Sequence, residues 1–119
     1  MSDLVLIVDD DDDVGITMSI FLEMSGIDSI DAKSGSEALE LIKNNKNIKF
    51  VISDIRMANG SGIFLLEELR KIDPVFPHVV LISGQLDFSR EEAIKKGALD
   101  FFQKPADLEE IINLIRRKL

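Results

Sequence analysis

The sequence has no cysteine, tyrosine or tryptophan, and a single histidine among its 119 residues. Without thiols there are no disulfides, no thiolate zinc sites and no thiol catalysis, and the cytoplasm is the expected compartment. His78 opens an apolar run and has no second His or acid motif beside it. It reads as a structural residue and not as a phosphodonor. No apolar stretch approaches the ~20 residues of a membrane span, so no membrane contact is expected. The start, Met1-Ser2-Asp3-Leu4, lacks the basic segment that opens a signal peptide. Positive charge is also scarce, with 14 Lys and Arg against 22 Asp and Glu and a net charge of −8. That balance argues against direct nucleic-acid binding by this chain and suits cations and basic partner patches.

Apolar residues make up 45% of the chain, enough for a core without metal or disulfide staples. The length suits one domain, expected to span residues 1–119. Leu4 to Val8 is a continuous apolar run, a central strand buried on both faces, and it ends at Asp9. Val14, Met18, Phe21 and Leu22 then recur at helical spacing, with Asp11 to Asp13 at the favourable end of the helix dipole and Gly26 as a stop. Residues 27–32 read as a weaker strand. Ser34 with Glu37 is a capping box for a helix whose apolar face is Ala38, Leu41 and Ile42.

Phe50 to Ile52 is the next strand and runs into Asp54. Ala58 to Gly62 follows as a flexible turn, since Gly60-Ser61-Gly62 lacks the spacing and lysine of a phosphate-binding P-loop. Ile63, Leu66 and Leu69 mark a helix that closes before Pro74. Val79 to Ile82 is a strand ending at Ser83-Gly84. Ser89 with Glu92 caps a short helix, Asp100 to Gln103 is a last strand ending at Lys104-Pro105, and Asp107 with Glu110 caps the final helix, striped by Leu108, Ile111, Ile112, Ile115 and Leu119. Strand and helix alternate five times. The fold class is therefore α/β, doubly wound, with a five-stranded parallel sheet, helices on both faces and right-handed crossovers.

In a parallel sheet the carboxyl ends of all strands share one edge. That edge gathers Asp9 and Asp10, Asp54, Ser83 with Gly84, and Lys104. Close carboxylates repel, and at least one pKa rises unless a cation intervenes. An all-oxygen ligand set without His or Cys selects a hard ion, Mg²⁺ above all. Mg²⁺ takes phosphate oxygens alongside its waters, and an amine and a hydroxyl suit the other oxygens of a phosphoryl group. The chemistry this suggests is phosphoryl transfer to Asp54. A calcium loop starting at Asp9 fails, because Val14 and Ile20 stand where Gly and Glu are required. Arg56 and Gln85 lie two residues beyond Asp54 and Ser83, at the rim that an attacking water must pass, and are expected to tune the lifetime of the acyl phosphate.

Val8-Asp9-Asp10, Ser53-Asp54-Ile55-Arg56-Met57, Leu81-Ile82-Ser83-Gly84 and Phe101-Phe102-Gln103-Lys104-Pro105, in this order and spacing, resemble the receiver domains of two-component response regulators, the CheY-like family. The resemblance covers essentially the whole chain. It implies a flavodoxin-like (βα)5 fold with strand order 2-1-3-4-5. It implies that Asp54 is the phosphoacceptor and that Asp10, Asp54 and the backbone carbonyl of Arg56 bind Mg²⁺, with Asp9 acting through water. Ser83 and Lys104 would hold phosphoryl oxygens, Phe101 would be the switch aromatic, and Lys104–Pro105 would be cis. The implied partners are a histidine kinase or phosphotransfer protein and a downstream partner or output domain. The expected output face comprises the helix after Ser89, the strand at Phe101 and the last helix, which would also serve a homodimer. On phosphorylation Ser83 would move inwards and the Phe101 ring would follow.

The sequence departs from the family pattern at four places. Ala58 replaces a usual Pro, Ser83 a commoner Thr, Gly84 a commoner Ala, and Phe101 a usual Tyr. None removes a group that the transfer needs, since Ser83 keeps the hydroxyl. Two other readings stand beside the phosphorylated switch: a receiver-like docking module that works without phosphorylation, and a phosphohydrolase. The second is weakened by Arg56, which fills the place of the second acid in an Asp-x-Asp arrangement.

Overall fold

The structure is a computed structural model that describes residues 3–84 and 88–119. Five strands alternate with five helices: β1 (Leu4–Val8), α1 (Asp12–Met24), β2 (Ser29–Ala32), α2 (Gly35–Asn44), β3 (Ile48–Asp54), α3 (Gly62–Ile72), β4 (His78–Ser83), α4 (Arg90–Lys95), β5 (Asp100–Gln103) and α5 (Leu108–Lys118). All strand pairs are parallel, in the order β2-β1-β3-β4-β5. Among the described residues, no helix is long and apolar enough to cross a membrane.

The uninterrupted apolar strands follow from a sheet covered on both sides. Leu6, Val8, Val51, Val79, Leu81 and Phe101 face a core shared with α2, α3 and α4. Their alternating neighbours Val5, Ile7, Ile52, Val80, Ile82 and Phe102 face a second core with α1 and α5. Each fully buried aliphatic side chain contributes about 1.5–3 kcal/mol, and the three inner strands supply most of them. The outer strand β2 contributes only Ala32 as a buried apolar residue, in keeping with its weak pattern.

Helix starts are fixed by side-chain caps. Ser34, Ser89 and Asp107 accept from the backbone N–H of Glu37, Glu92 and Glu110, as their motifs predict, and Asp107 accepts from Glu109 N–H as well. Ser61 does the same for α3 through Phe64 N–H at 3.1 Å, and Asp11 for α1 through Asp13 N–H at 2.9 Å. Asp11 to Asp13 thus belong to the helix start.

Three expectations are corrected. Phe21 is exposed, and α1 buries Gly15 beside Met18 and Leu22 instead. A β-bulge between the pairs Leu4–Ile48 and Val5–Phe50 lets β3 begin at Ile48, two residues before its apolar run. The segment Ala58 to Gly62 is anchored and not a free turn. Its Gly60 carbonyl accepts from Gly35 N–H at 2.8 Å, Gly62 N–H donates to the Ile55 carbonyl at 2.9 Å, and Gly62 already opens α3. Asn59 and Gly60 take the left-handed backbone needed there, with φ of 58° and 105°.

At the far end of α5, Leu119 caps the helix and is exposed, while Leu114 is buried. On α1, Ile16, Ile20 and Met24 form an exposed apolar stripe at four-residue spacing, 56%, 52% and 81% accessible.

Candidate functional site

The sheet reverses its direction of growth between β1 and β3, and the crevice above that point is where ligands gather in doubly wound folds. β1 delivers Asp9, buried to 5% exposure, and the exposed Asp10 follows it. β3 delivers Asp54, whose side chain is 12% accessible. Oxygen atoms of these three acids all lie within 4.8 Å of one another. Trans oxygens on a Mg²⁺ ion lie about 4.2 Å apart, given a Mg–O distance of about 2.1 Å. The donor set is hard, oxygen-only and close to the spacing that such an ion requires, so the acids present fit it.

Two of the three carboxylates are oriented by the backbone. Asp9 Oδ1 accepts from Asp11 N–H at 2.9 Å, and Asp54 Oδ1 from Ile55 N–H at 2.9 Å. The free oxygens point to one amine. Lys104 Nζ donates to Asp54 Oδ2 at 3.1 Å and lies 4.0 Å from Asp9 Oδ2. Burial pushes the Asp9 carboxyl up, with Asp54 and Asp10 adding repulsion and the Asp11 N–H and Lys104 opposing it.

Lys104 reaches the crevice from the end of β5. Its N–H donates to the Ser83 carbonyl at 2.9 Å, and Lys104–Pro105 is cis. Ser83 closes β4 and is buried to 1% exposure. Asp9, Asp10, Asp54 and Lys104 are thus brought together, and Ser83 is fastened to the lysine's backbone. Arg56 is exposed and lines an open groove with Asp10, Met57, Ala58 and Phe88. Gln85 lies outside the described residues.

Phe101 departs from its expected starting position. The ring is already inside, 6% exposed, tilted against Phe88 at a centroid distance of 6.0 Å. Its carbonyl accepts from Arg90 Nη2 at 3.2 Å, and Arg90 Nε pairs with Asp100 at 2.8 Å. An inward swing on phosphorylation therefore has little apolar surface left to bury.

Two supporting residues escaped the sequence reading. Ser53 is fully buried, and its Oγ donates to the Asp54 carbonyl at 2.9 Å. Gly62 packs against that same carbonyl so closely that a Cβ would collide with it. Together they fix the backbone that carries Asp54. A small residue after the loop was the only available signal.

The fold and its crevice define a doubly wound, flavodoxin-like α/β domain with an acidic cluster bridged by lysine at its switch point. The comparisons with known proteins are narrower: the response regulator receiver domain family matches residues 5–116, and the chain belongs to it. The receiver domain of the Francisella response regulator 1452 superposes with a TM-score of 0.89 at 33% identity, covering 98% of this chain and 95% of that one. The CpxR homologue of Haemophilus influenzae, a transcriptional regulatory protein, is 36% identical over 94% of this chain and 48% of its own length. The DNA-binding transcriptional regulator NtrC of Escherichia coli is 28% identical over 98% of this chain and 24% of its own. The chain thus spans about half of the first relative's length and about a quarter of the second's.

Proposed function

We propose that residues 1–119 form a single receiver domain that takes a phosphoryl group onto Asp54 and passes the change to a partner. The observation that carries this reading is the Asp54 carboxylate, held by Ile55 N–H on one oxygen and Lys104 on the other, beside Asp9 and Asp10. The donor is the phosphohistidine of a histidine kinase or phosphotransfer protein, or a small acyl phosphate. One Asp54 oxygen bonds to phosphorus as the P–N bond breaks, and the departing imidazole keeps that electron pair and takes up a proton. Water later cleaves the acyl phosphate and restores the carboxylate.

Asp10, Asp54 and the Arg56 carbonyl would hold Mg²⁺, with Asp9 acting through water. The ion supplies charge neutralisation for the phosphoryl oxygens. Lys104 passes from Asp54 to a phosphoryl oxygen, and the Ser83 hydroxyl donates to another. Arg56, at the rim, limits the approach of water, and Gln85 is assigned the same role. The stripe of Ile16, Ile20 and Met24 on α1 offers a phosphodonor protein an apolar seat. The reaction is self-catalysed and resets itself, which makes the chain a regulator and not an enzyme acting on other substrates. Ser83 and Phe101 relay the change to the face of α4, β5 and α5, where a downstream partner, an output domain or a second copy binds. The absence of thiols and the cation-seeking charge fit a cytoplasmic domain that does not touch nucleic acid or membrane itself.

Incubation with acetyl phosphate and Mg²⁺ should add one acid-stable, base-labile phosphoryl group, and Asp54→Asn should abolish it. Labelling of a serine, or none in the wild type, would overturn the reading.

A further inference from the structure

The pole opposite Asp54 carries a feature that phosphoryl transfer does not use. Of the fourteen basic side chains, only Lys33, Arg56, Arg90 and Lys104 lie at the carboxyl edge of the sheet, and the others gather at helix ends, in the α2–β3 loop and in β3 on the amino edge. Within that edge a groove runs between the ends of α2 and α3, lined by Ile42, Ile72 and Phe76 and by Lys43, Lys46 and Lys49. Ile72 and Phe76 are 65% and 47% exposed.

Helix dipoles account for only part of this charge. Lys43 is in the last turn of α2, where a cation is favoured. Lys46 lies beyond the helix and Lys49 in β3, so neither is explained that way. Among the described residues no carboxylate lies within ion-pair distance of these three lysines. Asp73 also lines the groove and feels the charge of Lys49, but its carboxylate is held by its own loop, accepting from Val75 N–H at 2.8 Å and Phe76 N–H at 2.9 Å.

The bulge sets the geometry. Residues 48 and 50 of a regular strand share a face, yet Ile48 packs with the α2–α4 core and Phe50 with the α1–α5 core. Lys49 is the unmatched residue between them. A bulge re-aims side chains, and here Ile48 and Lys49 both line the same groove.

We propose that this groove docks an acidic, amphipathic segment of a partner protein. Its apolar side chains would rest on Ile42, Ile72 and Phe76, and its carboxylates would pair with Lys43, Lys46 and Lys49. Nucleic acid suits the site less well, because the floor of Ile42, Ile72 and Phe76 is apolar and phosphate contacts would leave it uncovered. The site is remote from Asp54 and does not depend on phosphorylation.

The test uses a fluorescein-labelled helical peptide with Leu and Phe on one face and Glu on the other, titrated by anisotropy, with amide NMR mapping. Binding should weaken with salt, and shifts should concentrate at residues 42–49 and 69–78. Lys46→Glu with Lys49→Glu should weaken binding about tenfold or more, as should Ile72→Ser. Arg117→Glu, at the same pole but on α5, should have little effect. Acetyl phosphate labelling of every variant should match wild type, which separates this site from the Asp54 reading and reports correct folding. The proposal is overturned if the peptide does not bind, if its Lys counterpart binds equally, or if Arg117→Glu costs as much as the groove variants. It is also overturned if anionic vesicles or DNA, and not the peptide, lose binding in those variants.

Discussion

Lys104 Nζ lies 3.1 Å from Asp54 Oδ2 and 4.0 Å from Asp9 Oδ2, so one amine compensates two acids from different strands. Lys104→Met should therefore act in two directions. Mg²⁺ should bind more tightly, because a competing positive charge is gone, while acetyl phosphate labelling should fall. The metal-free protein should lose only about 1 kcal/mol, since the lysine is partly exposed and solvent screens the pair. Weaker Mg²⁺ binding in this variant would refute the compensation.

Asp9 predicts a pH dependence. Its folded pKa is raised above 3.8, chiefly by burial, so the folded state holds the proton more firmly than the unfolded chain does. The stabilisation this gives is complete below the unfolded pKa and is lost as pH rises through the folded one. Asp9→Asn keeps the acceptor for Asp11 N–H and removes the charge. Without Mg²⁺, urea denaturation should show the variant to be more stable than wild type at pH 7, with the gap closing towards pH 4. A variant less stable at pH 7 would contradict the sign.

Gly62→Ala places a methyl against the Asp54 carbonyl and 3.1 Å from Ile55 Cα. Overpacking against backbone costs about 1–3 kcal/mol, and displacement of Asp54 should lower the labelling rate as well. Gly84→Ala is the contrast. Among the described residues its Cβ would meet nothing nearer than Lys104 Cδ at 3.8 Å, so stability should change by less than about 0.5 kcal/mol. Thermal melts and labelling of both variants check the pair.

Ile20→Asp puts a charge in the middle of the exposed α1 stripe, more than half accessible in the wild type. Transfer from a phosphohistidine protein should slow at least about tenfold, with labelling by acetyl phosphate unchanged. If both donors slow equally, the stripe is not a docking seat.

Arg56→Ala opens the rim of the groove shared with Asp10 and Met57. The acyl phosphate should shorten its lifetime, measured as loss of label after the donor is removed. An unchanged lifetime would exclude Arg56 from control of water entry.

The sequence was most readable where the signal is local. Ser34, Ser89 and Asp107 cap the helices that their motifs open, and each apolar strand run ends at a residue of the crevice. Convergence of those ends needs only a parallel sheet, so Asp9, Asp10, Asp54 and Lys104 could be grouped in advance. What escaped depends on contacts between distant segments. Gly15 is buried on α1 beside Asp31 and Lys33 although it carries no apolar side chain, while Ile16 and Ile20 face outwards. The bulge at Lys49 breaks the period-two pattern that marks a strand. Ser53 and Gly62 act on a backbone carbonyl, and burial of Phe101 depends on Phe88 and α4; neither leaves a pattern in the chain itself.

Phe101 and Phe102 are adjacent in sequence yet belong to cores on opposite sides of the sheet. Strand backbones therefore act as a partition. Phe88, Ala93 and Phe101 share the side of α2, α3 and α4, whereas the α1 stripe rises from the other side. A protein seated on α1 would leave the flank of α2, α3 and α4 uncovered and would crowd only the α5 part of the proposed output face, since α5 shares its core with α1. Asp54 stands at the carboxyl edge of the partition, so under the proposed reading a phosphoryl group there would be felt by both flanks at once.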